Sequence, residues 1–148
     1  MLIREAEEKD VNALSELTSQ LGYPSEADDI CVRLKNLLLN PKNRVFVAEK
    51  DFLADSNNSI AGFIRFAPYE TIYCDAGINI TGFAVDEKLR RTGIGRSLME
   101  AVERYAAQNG FAFIRAESVA MRKDAHSVYR KLNFDSEKTQ IRFLKKIE

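Results

Sequence analysis

Ala84-Val85-Asp86-Glu87-Lys88-Leu89-Arg90-Arg91-Thr92-Gly93-Ile94-Gly95-Arg96-Ser97-Leu98-Met99 runs from a strand, through a basic loop with two glycines, into an amphipathic helix. A helix N-terminus carries N–H groups without helical acceptors and a partial positive charge. Glycine lets the backbone approach a bulky anion without a Cβ clash. Together these features make a phosphate-binding turn. The first turn of a helix ordinarily favours Asp or Glu. From Lys88 to Met99 there is no acid, and four bases stand there instead: Lys88, Arg90, Arg91 and Arg96. They repel the positive helix end and each other, and an external polyanion relieves that repulsion. The plainer alternative is a solvated basic loop at a glycine turn.

Two common nucleotide motifs are absent. Nothing matches G-x-x-x-x-G-K-[ST], and a G-x-G-x-x-G fingerprint fails because Leu98 occupies the third glycine position. The loop also comes late in the chain, after two helices and several strands.

Upstream, Leu2 to Arg4 reads as a strand. Asp10 stands as an N-cap before the helical stripe Val11, Leu14, Leu17 and Leu21, which Gly22 ends. Ser25 with Asp28 reads as a capping-box variant opening a second helix, with Ile30, Leu34, Leu37 and Leu38 as its apolar face. Asn40-Pro41 stops it. Val45 to Glu49 and Ile60 to Phe66 are strand-like, joined by a turn-rich loop at Asp55 to Ser59. A third strand lies within Thr71 to Val85. Downstream, Ile94, Leu98, Ala101, Val102, Tyr105 and Ala106 share a helix face closed by Asn109-Gly110. Phe111 to Glu117 reads as a strand, Ala125 to Leu132 as a short helix, and Gln140 to Ile147 as a last strand. The order β-α-α-β-β-β-α-β-α-β predicts one α/β domain over residues 1–148, with a mixed sheet flanked by helices.

Composition excludes several classes. The 45% hydrophobic and 30% charged residues fit a folded globular chain. Lys plus Arg equals Asp plus Glu at 22 each, so no basic excess supports a nucleic-acid partner. No apolar run approaches the roughly 20 residues of a membrane helix, and the acidic MLIREAEEKD start does not read as a signal peptide. Cys31, Cys74 and a single histidine, His126, make a poor metal set, so no metal is expected. Both thiols are expected to be reduced and the protein cytoplasmic.

The run Arg90-Arg91-Thr92-Gly93-Ile94-Gly95 reads R-x-x-G-x-G. It resembles the acyl-CoA pyrophosphate loop of the GCN5-related N-acetyltransferase (GNAT) superfamily. Ala125-His126-Ser127-Val128-Tyr129-Arg130-Lys131-Leu132-Asn133-Phe134 resembles that family's later A-x-x-x-Y-x-K-x-G-F motif. The element order is also the family's, and the Leu21-Gly22-Tyr23-Pro24 turn and Asp124-Ala125-His126 run resemble members that acetylate small amines.

The resemblance implies acetyl-CoA as co-substrate, lying where two parallel strands splay apart. The backbone of Phe83, Ala84 and Val85 would bond the pantetheine arm, and amides from Arg91, Thr92, Gly93, Ile94, Gly95 and Arg96 would hold the pyrophosphate. Arg90 would brace the loop. Arg122 stands where the family often has an asparagine that contacts CoA, and Asn133 replaces the usual glycine. Tyr129 aligns with the general acid toward the leaving thiolate; as a residue on an apolar stripe it also reads as core. Many relatives carry a carboxylate base near Thr81 and Gly82, which offer none here. Glu117, acting through water, is the first candidate base, with Asp75, Glu70 and His126 as alternatives. The acceptor surface is expected from Tyr23 to Asp29 and from Pro68 to Asp75, where aromatic and acidic residues suit a cationic amine. The implied activity is N-acetylation of a primary amine on a small molecule, by a protein without nucleic-acid or membrane partners; a homodimer is left open. The alternatives are a non-catalytic acyl-CoA-binding module and a nucleotide-binding protein.

Overall fold

The computed structural model describes residues 1–50, 59–118 and 123–148, which form two compact units, 1–117 and 118–148. The first contains β1 (Leu2–Glu5), α1 (Val11–Gln20), α2 (Ala27–Leu38), β2 (Arg44–Glu49), β3 (Ile60–Tyr69), β4 (Gly77–Val85), α3 (Ile94–Gln108) and β5 (Ile114–Ala116). Short 3-10 turns at Glu8–Asp10 and Glu87–Leu89 precede α1 and follow β4. The sheet order is β1-β2-β3-β4-β5. All neighbours are antiparallel except β4 and β5, whose parallel pairing requires a crossover, and α3 supplies it.

Alternation along β3 divides the core. Phe63, with Val45, Val47, Ile60 and Ala84, joins Leu14 and Leu17 of α1 and Leu34 of α2 in one buried cluster. Ile64, Phe66 and Ile78 are fully buried on the opposite face, where the α3 residue Tyr105 meets Phe66 edge-on at 5.3 Å. Each large side chain so buried contributes roughly 1.5–3 kcal/mol. The helix stops fall at the glycines read from sequence: Gly22 follows α1 with φ +98° and Gly110 follows α3 with φ +73°.

Three local expectations differ. Asp10 precedes α1 but makes no side-chain cap to it. Its carboxylate instead accepts from Arg4 Nη1 (2.8 Å), Arg4 Nη2 (2.9 Å) and the Glu7 N–H (2.8 Å), because a charged fork outcompetes a cap. Ser25 does not cap α2; Glu26 occupies that position, and Ser25 Oγ donates to the Tyr23 carbonyl while accepting from Arg33. The third concerns the C-terminus. Residues 135–148 form no strand, and Ile141, Phe143 and Ile147 are exposed. The alternation lasts only from Ile141 to Phe143 before Leu144-Lys145-Lys146 breaks the period, and a strand without a ladder partner is not stable. Most of the loop expected at Asp55 to Ser59 lies outside the described residues.

In the second unit, α4 (Lys123–Lys131) is followed by Asn133 at φ +63°. Asparagine tolerates that left-handed turn where the resembling motif has glycine. Arg130 pairs with Glu137 at 2.8 and 2.9 Å, and the pairing raises the pKa of Arg130 and lowers that of Glu137.

Candidate active site

β4 outruns β5. Their pairing covers Ile78↔Ile114, Asn79↔Arg115 and Ile80↔Ala116 and then ends. β4 continues to Val85, still laddered to β3 on its other side through Gly82↔Arg65, Phe83↔Ile64, Ala84↔Phe63 and Val85↔Gly62. Past Ile80, no further β4–β5 strand pair forms among the described residues. The Ala84 side chain belongs to the core, while Phe83 and Val85 are half-buried.

β4 leads through Asp86 and Glu87 into the basic loop. The Asp86 N–H donates to the Ala61 carbonyl (2.8 Å), and Asp86 Oδ1 accepts from the Lys88 N–H (3.0 Å). Arg90 Nε reaches back to the Val85 carbonyl (3.3 Å), tying the loop to the end of β4. Thr92 Oγ1 donates to the Leu89 carbonyl. Arg91 (φ +64°) and Gly93 (φ +89°) both adopt the left-handed conformation, which costs Arg91 strain that Gly93 avoids. Gly93 is the N-cap of α3, and the first helical bond runs from the Ser97 N–H to the Gly93 carbonyl (3.0 Å). The first turn of α3 contains no acid. A Cβ on Gly95 would lie 3.4 Å from the Phe83 ring and 3.7 Å from Val85 Cγ2, so the fold itself does not demand glycine there.

The side of the sheet carrying Arg65 and Gly82 holds polar groups that the sequence reading did not single out. The Arg65 guanidinium, half-buried, donates to Thr81 Oγ1 (2.6 Å) and Asn43 Oδ1 (2.9 Å). Burial lowers its pKa. Arg115 donates to Asn79 Oδ1 (3.3 Å) and Glu117 Oε1 (2.7 Å) and stacks 4.3 Å over the Tyr69 ring. The neighbouring Tyr69 hydroxyl raises the pKa of Tyr73, on the loop after β3. The available signal was a charge inside the otherwise apolar run Ile60-Ala61-Gly62-Phe63-Ile64-Arg65-Phe66, since a charge there needs partners.

Of the candidate bases, Glu117 lies just past β5, mostly exposed and held by Arg115. Glu70 pairs with Lys42 at 3.4 Å, and Asp75 is exposed. The expected acceptor segment at Tyr23 to Asp29 borders a cavity of about 780 Å³ along α1 and α2, lined in part by Glu16, Ser25, Glu26, Asp29, Arg33 and Glu87. Gln20 Oε1 accepts from the Glu87 N–H (2.9 Å), linking the end of α1 to the loop after β4. No group of three or more His, Cys, Asp or Glu side chains among the described residues is placed to hold a metal ion.

The acetyltransferase (GNAT) family model matches residues 8–134. The chain belongs to this family. As a GNAT acetyltransferase it uses acetyl-CoA as donor. None of the curated proteins matches it in sequence. Its fold is shared with an aminoglycoside 6'-N-acetyltransferase, AAC(6')-IG of Acinetobacter haemolyticus, at 19% identity and TM-score 0.81, with 100% of each chain covered. A tetramutant of the BH1408 protein of Bacillus halodurans matches at 20% identity and TM-score 0.81, covering 98% of this chain and 100% of that one. AAC(6')-Iy bound to the bisubstrate analogue CoA-S-monomethyl-acetylneamine matches at 19% and TM-score 0.79, covering 99% and 98%.

The remaining residues expected at the GNAT site belong to the second unit. Tyr129 is half-buried on α4 and meets the Phe134 ring edge-on at 5.3 Å. The Phe134 N–H donates to the Tyr129 carbonyl (3.3 Å), closing the turn at Asn133. His126 is half-buried one turn earlier. Arg122 lies outside the described residues. No helix among the described residues is long and apolar enough to cross a membrane.

Proposed function

We propose that the protein transfers the acetyl group of acetyl-CoA to a primary amine of a small molecule. One observation carries this reading: β4, whose pairing with β5 ends at Ile80, runs on past Asp86 and Glu87 into the acid-free stretch from Lys88 to Met99, where Arg91 and Gly93 are left-handed at the start of α3. That junction suits a ligand with an extended amide arm and a polyanionic end. Acetyl-CoA supplies an activated acetyl thioester. Phe83, Ala84 and Val85 offer it backbone N–H and C=O groups, as an added strand would. Amides from Arg91 to Arg96 hold the pyrophosphate, Arg90 braces the loop, and Arg122 contacts a phosphate or the pantetheine. Two of the structural relatives are aminoglycoside acetyltransferases, which supports an amine on a small molecule as acceptor.

Tyr129 is the general acid. A phenol with a pKa of about 10 keeps its proton at neutral pH and donates it to the departing sulfur, worth about 10²–10⁴-fold. Glu117 takes the proton of the amine through water. Its carboxylate accepts a hydrogen bond from Arg115, which orients it but occupies Oε1. That pairing, with the absence of a carboxylate at Thr81 and Gly82, is the observation on the side of a non-catalytic acyl-CoA-binding module. Incubating the protein with acetyl-CoA, an amine panel and a thiol reagent separates the two. Thiol release that depends on amine supports transfer, and tight binding of acetyl-CoA without release supports the module.

A further inference from the structure

Arg65 is a half-buried cation whose hydrogen bonds go to two neutral oxygens, Thr81 Oγ1 and Asn43 Oδ1. Half-buried charges are ordinarily matched by opposite ones. Arg115, the other arginine beside this part of β4, follows that rule through Glu117. Arg4, at the far edge of the sheet, follows it twice, through Asp10 and Glu49. The position of Arg65 gives the difference a meaning. Thr81, the residue it reaches, is the first of β4 beyond the last β4–β5 pair, Ile80↔Ala116. Opposite Arg65 in the ladder is Gly82, whose missing side chain leaves room that the Phe63 ring borders, and Thr81 is the β4 side chain bonded to the guanidinium. Arg65 stands on β3, the strand next to β4, and adjacent strands lie about 4.8 Å apart.

We propose that Arg65, seated by Thr81 and Asn43, anchors an oxyanion of the acceptor, which is therefore an amine that also carries a carboxylate or phosphate. This rests on the reading of the β4 edge as the place of acetyl transfer. Two bonds occupy two of the five N–H donors of the guanidinium, and the remaining donors keep the planar fork that matches an oxyanion. Burial of Arg65 without a carboxylate partner among the described residues strengthens such a contact, because little water competes for it.

Equilibrium binding tests the anchor independently of turnover. N-acetylated ω-amino acids of graded chain length, their primary amides, and N-acetylated aminoalkyl phosphates of the same lengths are titrated with CoA present. The expected result is that at least one anion binds roughly 10- to 100-fold more tightly than its amide, the range of a charged hydrogen-bonded contact. Arg65→Gln removes that margin, with CoA affinity as the folding control. Arg65→Lys, which keeps the charge but not the fork, retains part of it and serves as the second variant if Arg65→Gln does not fold. A margin from one anion class alone names carboxylate or phosphate. A wild-type protein that prefers no anion over its amide, or an Arg65 variant that keeps the full margin, overturns the proposal. The corresponding free amines are then assayed for thiol release. An anion margin in binding without release refutes acetyl transfer and leaves the anchor standing, whereas equal turnover of acids and amides refutes the anchor and leaves transfer standing.

Discussion

At the β1 edge of the sheet, Arg4 is almost enclosed and its charge is answered by Asp10 and Glu49, each at 2.8 Å. Where β4 leaves the sheet, Arg90, Arg91 and Arg96 crowd a helix N-terminus without an acid in its first turn. Both regions are cationic, and both are built from short-range contacts. The first is closed: the hydrogen bonds that Arg4 donates to Asp10 and Glu49 hold it ionised and raise its pKa. The second stays open to an anion: the helix end offers N–H groups, and its first turn has no acid.

The strongest way to break the closed region is Arg4→Leu. It leaves the buried Asp10 and the neighbouring Glu49 without their cation. Removing one partner of a buried pair costs about 3–5 kcal/mol, which urea denaturation measures. The pH dependence has a definite sign. Burial pushes the Asp10 carboxyl up, but the Arg4 hydrogen bond, the Glu7 N–H and the nearby positive charges outweigh it, and its pKa ends below the ordinary value. A carboxylate depressed in the folded state contributes stability above its unfolded pKa of about 4 and loses it as pH falls through the folded value. Wild-type stability should therefore fall on acidification below about pH 4. In Arg4→Leu, with burial unopposed by the guanidinium, that acid loss should shrink.

The open region breaks by adding the acid it lacks. Gly95→Glu should fold, since a Cβ there makes only ordinary contacts. It places a negative charge beside the loop amides, and acetyl-CoA affinity should drop about a hundredfold or more by calorimetry, from repulsion together with loss of close backbone approach. Binding equal to wild type by a folded variant would remove the anion-loop reading.

Tyr129→Phe separates binding from chemistry. It should leave acetyl-CoA affinity within a few-fold and lower turnover by about 10²-fold. Undiminished turnover would return Tyr129 to a packing role against Phe134. The smallest effect is expected at Glu117, because Arg115 already holds it. Glu117→Gln should slow the reaction about tenfold at low pH, where the amine is mostly ammonium, and the deficit should shrink as pH rises. A pH–rate profile identical to wild type would remove Glu117 from the reaction, and loss of the acidic limb in His126→Ala alone would pass the role to the histidine.

The elements that depend on near neighbours were legible in the chain. The stops at Gly22 and Gly110, the acid-free start of α3 and the left-handed Asn133 follow from residues within a turn of each other. Side-chain partners were less so. Asp10 has the composition of a helix cap, yet its carboxylate is taken by Arg4. Ser25 has the pattern of a capping box, yet bonds Tyr23 and Arg33. The alternation at Ile141 and Phe143 suggested a strand, but alternation says which face is apolar and not whether a ladder partner exists.

The chain by itself determined the strand–loop–helix junction at residues 84–99, its charge and its glycines, because backbone conformation and helix-end electrostatics act over a few residues. Only the tertiary structure decided where β5 stops pairing with β4, that Arg65 faces Thr81 rather than a carboxylate, and that Arg115 spends its charge on Glu117. Those outcomes depend on strand register and on the irregularity between Arg65 and Phe66. A shift of one residue there would turn Arg65 to the other face of the sheet, and nothing local to Arg65 specifies which register is adopted.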